Sequence, residues 1–326
     1  MMPLPDFDVH FPTTAAEAVA LHAARPGAMY IAGGTDLLPN LKHGLYDAKD
    51  LVSLSRLGLG GVSVEAGVVT IGAGAVLADL AEDALLREHL PGLADALAQV
   101  AGPLHRNRAT LGGNVMLDTR CLFYNQTEAW RDALGHCLKR SGDWCHVVGS
   151  GKTCVAARSN DSAPLLVALD ASLTFVTPAG ELGVPIRALY GKDGRFDRHV
   201  TVSPSALLVS IRIPAPPHRR IALYRKVRAR EAIDFPQLGL GVVAHVDDVV
   251  VELVGVLGAV MPEPRVLDLS AAHGTQLEDD VIDALAAATA KAARPQTSIH
   301  SEKDWRKEVA GVEMRRALRE IRQIWR

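Results

Sequence analysis

The sequence predicts a mixed α+β protein of three consecutive units, and three observations lead to this prediction. Residues 14–54 alternate helical patterns with two short apolar runs, which is typical of a βαβ unit. Residues 62–73 alternate in the manner of a β-hairpin, and helical patterns follow them. Residues 221–256 contain alternating strands, and Ala-rich helical patterns over 279–325 come after them. Strands and helices that are grouped in this way favour the α+β class.

The first unit begins with an Ala-rich helical pattern over 14–24 and a short apolar strand over 28–32. The strand ends abruptly at a glycine turn, residues 33–36, after which a helical pattern resumes over 37–45. A second strand is predicted over 51–54.

The second unit begins with the hairpin over 62–73 and continues with helical patterns over 76–100 that Pro91 interrupts. Between residues 118 and 158 the apolar periodicity fades, glycine and charged residues become dense, and all four cysteines of the chain occur. This segment is predicted to be an insertion. A helix over 163–171 and a strand over 173–176 follow it.

A proline-rich run over 213–217 marks the boundary to the third unit. That unit is predicted to contain strands over 221–256 and two helices, over 279–293 and 302–325. The predicted domain limits are therefore these: 1–56, 57–216 with the insertion at 118–158, and 217–326.

Composition restricts the function classes. The 326 residues are 48% hydrophobic and 22% charged, an ordinary balance for a globular protein with a large core. A formal net charge of −2 and a pI near 6.6 provide no overall attraction to nucleic acid or an anionic membrane. The N-terminus lacks the pattern of a secretory signal, and charged residues interrupt the most apolar region, 238–260. These features predict a cytoplasmic protein that binds neither nucleic acid nor a membrane.

The cysteines are clustered within the insertion. Cys121, Cys137, Cys145 and Cys154 have the spacing C-x15-C-x7-C-x8-C. Disulfides are disfavoured in a cytosolic chain, and zinc sites usually contain paired C-x2-C motifs, which are absent here. Four thiolates around an iron–sulfur cluster fit best. Structural zinc and unligated buried thiols are the alternatives.

Charged and aromatic side chains accompany the cysteines. The positive charges of Lys139, Arg140 and Lys152 would partly offset an anionic cluster. His136 and His146 stand beside two of the cysteines, but we expect neither to be a ligand. Four aromatic residues are expected to shield the cluster from water: Phe123, Tyr124, Trp130 and Trp144.

Two glycine pairs suggest one large ligand. The loop at 33–36 would direct backbone N–H groups and a helix N-terminus at a pyrophosphate, although a simple tight turn is the alternative. The segment 106–114 combines a second glycine pair with side chains that can bind a phosphate or a polar ring edge. Neither loop matches the Rossmann or the P-loop pattern.

A basic strand is predicted after the proline-rich run. Tyr224, Lys226 and Arg228 would share one face of it, and one cation there can reach a flavin or its phosphates. The alternative is a solvated basic face, which we favour for Arg228 over Lys226.

Over nearly its whole length the chain resembles the FAD-binding medium subunits of the xanthine dehydrogenase and carbon monoxide dehydrogenase family. The resemblance rests on the segments 32–38 and 109–114, on Asp161 with its helix, and on Lys226 followed by 234–236. It implies a two-subdomain FAD-binding domain of the PCMH (vanillyl-alcohol oxidase-like) type. It also implies a C-terminal α+β domain, an antiparallel sheet with helices, as in the carbon monoxide dehydrogenase flavoprotein.

The same resemblance implies the residues that contact FAD. These are Tyr30, Ile31, Ala32, Gly33, Gly34, Thr35, Asp36, Leu37, Val100, Thr110, Leu111, Gly112, Gly113, Asn114, Asp161, Leu208 and Lys226.

The insertion is similar to one in the β subunit of 4-hydroxybenzoyl-CoA reductase, on the segments 118–121, 123–126, 137–139 and 142–147. This likeness implies a [4Fe-4S] cluster on the four cysteines. It further implies a ferredoxin-like electron donor, a [2Fe-2S] small subunit, a molybdenum-cofactor large subunit and a dimer of heterotrimers. No catalytic residue is expected in this chain, since an aromatic acyl-CoA would be reduced on the molybdenum subunit.

Two other interpretations stay open. One is an FAD subunit of another molybdenum hydroxylase that acts oxidatively. The other is a non-catalytic scaffold in which zinc holds the cysteines and the glycine loops are only turns.

Overall fold

The computed structural model describes residues 2–149, 151–195, 202–216, 218–296 and 302–326. Within these ranges the strands form three sheets, of three, five and four strands. Helices of the second unit pack between the second and third sheets. In the described ranges, no helix is both long enough and apolar enough to cross a bilayer.

The first sheet is parallel, in the order β1-β3-β2. Its strands and its two helices are β1 Asp8–His10, α1 Ala15–Ala23, β2 Met29–Ile31, α2 Leu37–Lys42 and β3 Asp50–Ser53. The helix and strand patterns read from the sequence are confirmed here. Strand β1 was missed, because its three residues have no apolar alternation and are held by pairing with β3.

The second sheet has the order β4-β5-β8-β6-β7 and is antiparallel. Its strands are β4 Val62–Glu65, β5 Val68–Gly72, β6 Ser172–Thr177, β7 Gly180–Pro185 and β8 Leu207–Ile213. The predicted hairpin is β4-β5. The central strand, β8, was predicted only as the approach to a boundary, because nothing local shows that it inserts between β5 and β6.

Short helices cover this sheet. They are α3 Leu77–Glu82, α4 Ala84–His89, α5 Pro91–Ala98, α6 Pro103–Arg106, α7 Leu111–Val115, α9 Ser162–Ala168 and α10 Ile186–Leu189. The predicted interruption at Pro91 is confirmed, because this residue is the first of α5. At the first position of a helix the N–H group has no acceptor within the helix, so proline loses no hydrogen bond there.

The inserted segment contains one helix, α8 Glu128–Leu134, and a 3-10 turn, Leu138–Arg140. It is fastened to the first unit by Arg131, a residue only 2% exposed. The Arg131 guanidinium donates to the carbonyl oxygens of Gln126 and Gly44 and pairs with Glu128. Both terminal nitrogens of this buried guanidinium thus have acceptors in two segments of the chain, so the insertion is held in a defined position.

The third sheet has the order β12-β11-β10-β9 and is antiparallel. Its strands are β9 Arg219–Val227, β10 Leu238–Val246, β11 Val250–Gly258 and β12 Arg265–Val266, and its helices are α11 Asp279–Ala292 and α12 Lys303–Trp325. The predicted paired strands and both predicted helices are confirmed.

Close packing of α9 on this sheet positions the site. A Cβ on Gly241 would lie 2.7 Å from the backbone of Leu165, and one on Gly258 would lie 2.5 Å from the Pro164 ring. Glycine at both positions therefore allows α9, and Asp161 before it, to approach β10 and β11. The domain limits at 56 and 216 remain predictions, and Pro217 lies outside the described residues.

Candidate functional site

The first glycine loop joins β2 to α2. A Cβ on Gly33 would lie 1.9 Å from the carbonyl oxygen of Arg108, so only glycine permits this approach to the second loop. Gly34 has a φ of +71°. In the described part of the chain, the N–H groups of Gly33, Gly34, Thr35 and Asp36 donate to no protein acceptor. Free N–H groups on a tight turn are what a pyrophosphate needs.

The predicted contribution of a helix dipole at this loop is reduced, because α2 spans only six residues. The carboxylate of Asp36 does not cap the helix. Instead it accepts a hydrogen bond from Asn40 Nδ2 at 3.0 Å and pairs with the Arg120 guanidinium. The backbone of the turn, rather than a macrodipole, is therefore the candidate anion site.

The second glycine loop is built differently from the prediction. Thr110 caps α7, accepting from the Gly113 N–H at 3.2 Å. The N–H groups of Leu111, Gly112 and Asn114 bond to the carbonyl oxygens of Ala75, Ala73 and Thr110. Its N–H groups thus hold the loop against its own unit. Ligand contacts here would come from side chains, carbonyl oxygens and van der Waals surface.

Asn114 connects this loop to α9. Its Oδ1 accepts hydrogen bonds from the Ser162 hydroxyl at 2.6 Å and from the Ser162 N–H at 3.2 Å. Ser162 follows Asp161, so two predicted FAD-binding residues from distant segments are brought together.

Asp161 is the centre of a buried polar group. Its carboxylate receives the Tyr224 hydroxyl at 2.8 Å and the Lys226 ammonium at 3.0 Å. Burial raises the pKa of Asp161 and lowers the pKa of Lys226, and the attraction between the two charges opposes both shifts. Tyr224 and Lys226 share one face of β9, as predicted, whereas Arg228 lies one residue beyond the end of this strand.

Val100 follows Gln99, and cations contact the carbonyl oxygens of both residues. Lys226 Nζ donates to the Gln99 carbonyl at 3.0 Å, and Arg106 donates to the Val100 carbonyl at 2.9 Å. Arg228 also donates to the Gln99 carbonyl, at 3.1 Å. Arg228 is partly exposed whereas the Lys226 side chain is fully buried, which agrees with the expectation that solvation suits Arg228 better than Lys226.

Three residues of the predicted FAD set have other contacts. Leu111 and Leu208 belong to the apolar core, at 0% and 5% exposure. The Tyr30 hydroxyl donates to the Ser205 carbonyl at 2.7 Å, and its ring stacks on His22 with the centroids 4.5 Å apart. These positions support the walls of the site through packing and backbone.

The four cysteines of the insertion converge on one place in the structure. Cys121, Cys137, Cys145 and Cys154 are free thiols that line one small cavity. Aromatic Phe123 and Tyr124, the stem of Lys139 and apolar residues of the insertion complete its wall.

Burial and nearby donors act in opposite directions on the pKa values of the thiols in this cavity. Burial raises the pKa of the Cys154 thiol to about 11. The hydrogen bond from the Ala156 N–H and the positive charge of Lys139 lower this pKa but do not outweigh burial. Burial likewise raises the pKa of Cys121, while hydrogen bonds from the Phe123 and Tyr124 N–H groups lower it. These N–H groups and one buried ammonium would stabilise thiolates once a metal displaced the protons.

Among the described residues, no three His, Cys, Asp or Glu side chains lie close enough to share one metal ion. Four thiolates on a single zinc ion would stand about 3.8 Å apart, given Zn–S bonds of about 2.3 Å. In a [4Fe-4S] cluster each thiolate binds a different iron, so the sulfurs stand further apart. A zinc ion and a [4Fe-4S] cluster would therefore require different spacings of the four sulfurs.

Two of the four expected shielding residues do not shield the cavity. Trp144 is 55% exposed and lies over Gly149, and Trp130 is 38% exposed. His136 pairs with Glu128, and His146 Nε2 lies 2.8 Å from the Gly135 carbonyl oxygen. That neither histidine is a ligand stays a prediction, and His146 lines the cavity.

Sequence reasoning missed the charged pairs that hold these sites. Lys139 and Asp118 form an ion pair of 2.8 Å, with side chains 3% and 8% exposed. Lys139 was predicted only as a positive charge. Arg120 and Asp36 were never connected, because no local signal pairs residues 84 positions apart.

Comparison with known proteins agrees with this architecture. Residues 5–216 match the protein family described as FAD binding domain in molybdopterin dehydrogenase. The chain is 33% identical to the aldehyde oxidoreductase FAD-binding subunit PaoB of Escherichia coli (strain K12), over 72% of this chain and 76% of that protein. It is 27% identical to the carbon monoxide dehydrogenase medium chain of Hydrogenophaga pseudoflava, over 96% of each chain.

Solved structures show the same fold. Reconstituted CO dehydrogenase from Oligotropha carboxidovorans matches with a TM-score of 0.81 and 25% identity, over 99% of both chains. Quinoline 2-oxidoreductase from Pseudomonas putida 86 matches with a TM-score of 0.81 and 21% identity, over 99% of both chains. The predicted fold class is confirmed.

Proposed function

Because this chain belongs to the family of FAD-binding domains of molybdopterin dehydrogenases, we propose that it is an electron-transfer subunit carrying FAD and a [4Fe-4S] cluster. Membership of this family shows that the chain is an FAD-binding subunit of the molybdenum hydroxylase type. We propose, beyond this, the [4Fe-4S] cluster, the electron donor and the substrate class. The convergence of the four thiols on one cavity is the observation that carries it.

The residues present fit FAD. Free N–H groups of the loop 33–36 would bind the pyrophosphate, and Gly33 lets this loop meet the second loop. Lys226 and Asp161 would fix the wall between the second and third units. A bound flavin exchanges one or two electrons, which suits a subunit between one-electron and two-electron chemistry. The protein would position it and exclude water.

The residues also fit a thiolate-ligated cluster. Cys121, Cys137, Cys145 and Cys154 would be its ligands. Lys139 is buried beside the cavity, so its positive charge would already be in place to offset the negative charge of the cluster. N–H groups near Cys121 and Cys154 would accommodate negative sulfur.

The closer likeness to 4-hydroxybenzoyl-CoA reductase rests on the motifs of the insertion. With it we propose a ferredoxin-like donor, a [2Fe-2S] small subunit, a molybdenum large subunit and a dimer of heterotrimers in the cytoplasm. The substrate would be an aromatic acyl-CoA bound on the molybdenum subunit, in a route of aromatic degradation. This chain has no proposed general acid, base or nucleophile.

A second candidate is an FAD subunit of an oxidative molybdenum enzyme. The matched proteins include an aldehyde oxidoreductase and carbon monoxide dehydrogenases, which favours this candidate equally well. Flavin reoxidation separates the two. Rapid reoxidation of the reduced complex by NAD⁺ or oxygen, with no response to ferredoxin, would support the oxidative candidate and contradict ours.

The direct test of the cluster is anaerobic purification with quantitation of flavin, iron, sulfide and zinc. We expect one FAD with about four irons and four sulfides, and an EPR signal after dithionite reduction. Cys137→Ser should lose the signal and keep the flavin. FAD with zinc, or with no metal, would overturn the cluster proposal and leave the flavin subunit standing.

A further inference from the structure

Arg120 lies between the cysteine cavity and the first glycine loop. Its Nη2 pairs with Asp36 Oδ1, and its Nη1 lies 3.5 Å from Asn40 Oδ1. The Phe235 ring covers the guanidinium, with its centroid 5.1 Å from Cζ. The Arg120 side chain is 17% exposed. Arg120 thus contacts the segment after β9 and the first glycine loop, residues 33–36, which we call the flavin loop.

The backbone of Arg120 is tied to the cysteines. Arg120 and Ala157 form an antiparallel bridge, with N–H to O=C distances of 2.8 and 2.9 Å. Cys121 follows Arg120 directly, about 3.8 Å from it between Cα atoms. Ala157 stands three residues after Cys154. Both strands of the bridge therefore lead straight to cavity thiols.

The Arg120 guanidinium depends on its contact with Asp36. Its Nε is buried without a partner in the described ranges, and its Nη2 pairs with the Asp36 carboxylate. Asp36 stands at the end of the turn whose free N–H groups face the candidate pyrophosphate site. A buried guanidinium deprived of its carboxylate is strongly unfavourable, so a shift of residues 120–121 is expected to shift Asp36 as well.

We infer that Arg120 is a positioning residue that links cluster binding to flavin binding, so that each cofactor strengthens retention of the other. This inference rests on the proposed function. When the thiols are ligated, residues 120–121 are fixed and Arg120 holds the flavin loop in its binding shape. When the cavity is empty, the bridge and the loop loosen together. Thermodynamic linkage makes the effect equal in both directions.

The test measures the dissociation constant of FAD by flavin fluorescence on the full chain, with the cluster present and after iron chelation. The ratio of the two constants is the readout. We expect iron removal to weaken FAD binding about tenfold in the unchanged protein, within the usual range of coupling between sites. In Arg120→Gln the ratio should approach one.

Arg87→Gln is the matched control. Arg87 lies in α4, is 40% exposed, and pairs with Glu82 at 3.5 Å. This variant should keep the tenfold ratio. Asp36→Asn removes the other partner of the ion pair. The ratio of the two dissociation constants should approach one in this variant, even if FAD binding itself is also weaker. It keeps the inference testable if Arg120→Gln fails to fold.

The outcomes separate two failures. A protein that binds FAD but never holds iron overturns the proposed cluster, and the inference with it. A protein that holds both, with a ratio near one or a ratio unchanged in Arg120→Gln and Asp36→Asn, overturns only the linkage through Arg120.

Discussion

Lys226 and Asp161 lie 65 positions apart in the chain and form a buried ion pair between β9 and the start of α9, with Nζ 3.0 Å from a carboxylate oxygen. The Lys226 side chain is fully buried and that of Asp161 is 4% exposed. The pair joins β9 to the start of α9. The wall of the FAD site therefore depends on how the C-terminal sheet docks.

Lys226→Met should destabilise the protein and weaken FAD binding. Removal of one partner leaves the Asp161 carboxylate buried without its cation, which costs about 3–5 kcal/mol. Urea unfolding and the flavin content after gel filtration measure the two effects. Lys49→Met is the control, since Lys49 is 75% exposed and lies 3.6 Å from Asp47. Equal stability of the two variants would contradict the assigned importance of the buried pair.

Gly33→Ala should abolish close contact between the glycine loops. The new Cβ would lie 1.9 Å from the Arg108 carbonyl oxygen, so one backbone must move. We expect a cost of about 1–3 kcal/mol, as for other overpacked sites, together with loss of bound FAD. Gly60→Ala, where a Cβ meets nothing within 4 Å, should retain flavin. Full flavin content in Gly33→Ala would show that the loops need not touch.

His22 predicts a pH dependence at the stack with Tyr30. Burial lowers the pKa of His22 below its usual value of about 6.5, so the unfolded chain binds the proton more readily than the folded one. This contribution to stability is complete above that value and is lost as pH falls through the folded pKa. His22→Phe keeps an aromatic stack and should lose less stability between pH 7.5 and 5.5 than the unchanged protein. Parallel stability curves from urea unfolding would contradict this.

Lys139→Met should make the proposed cluster harder to reduce. Loss of a positive charge beside the cavity destabilises the more negative, reduced state, by about 60 mV if the equilibrium shifts tenfold. Asp118→Asn should shift the potential in the opposite direction, which loss of stability alone would not do. Lys152→Met, at an exposed position of the same insertion, should have little effect. Redox titration followed by EPR distinguishes these results.

Most helices and strands were predictable because their apolar periodicity is local. The helix after Pro91 and the hairpin β4-β5 are examples. Burial of one face requires apolar residues at a regular spacing, and this spacing is visible in the sequence. Strands β1 and β8 were not predicted as strands. Their place depends on partners far away in the chain, and β1 is too short for any pattern.

The candidate FAD site was predictable as a set of residues but not as an arrangement. The loop at 33–36 was expected to bind an anion, and its free N–H groups agree with that expectation. The second loop was expected to do the same, yet its N–H groups bond to Ala73, Ala75 and Thr110. Sequence identifies a tight glycine turn, but only the surrounding backbone determines whether its donors remain free.

By itself the sequence determined the α+β class, the grouping of the cysteines in one insertion, and the two glycine loops. Composition and periodicity carry that information because they record which side chains are buried and where the chain must turn. Only the tertiary structure decided that Arg120 meets Asp36, that Lys226 meets Asp161, and that four thiols share one cavity. Charged partners separated by many residues leave no periodic trace, since their pairing follows from sheet order and from the close packing of α9 on the third sheet.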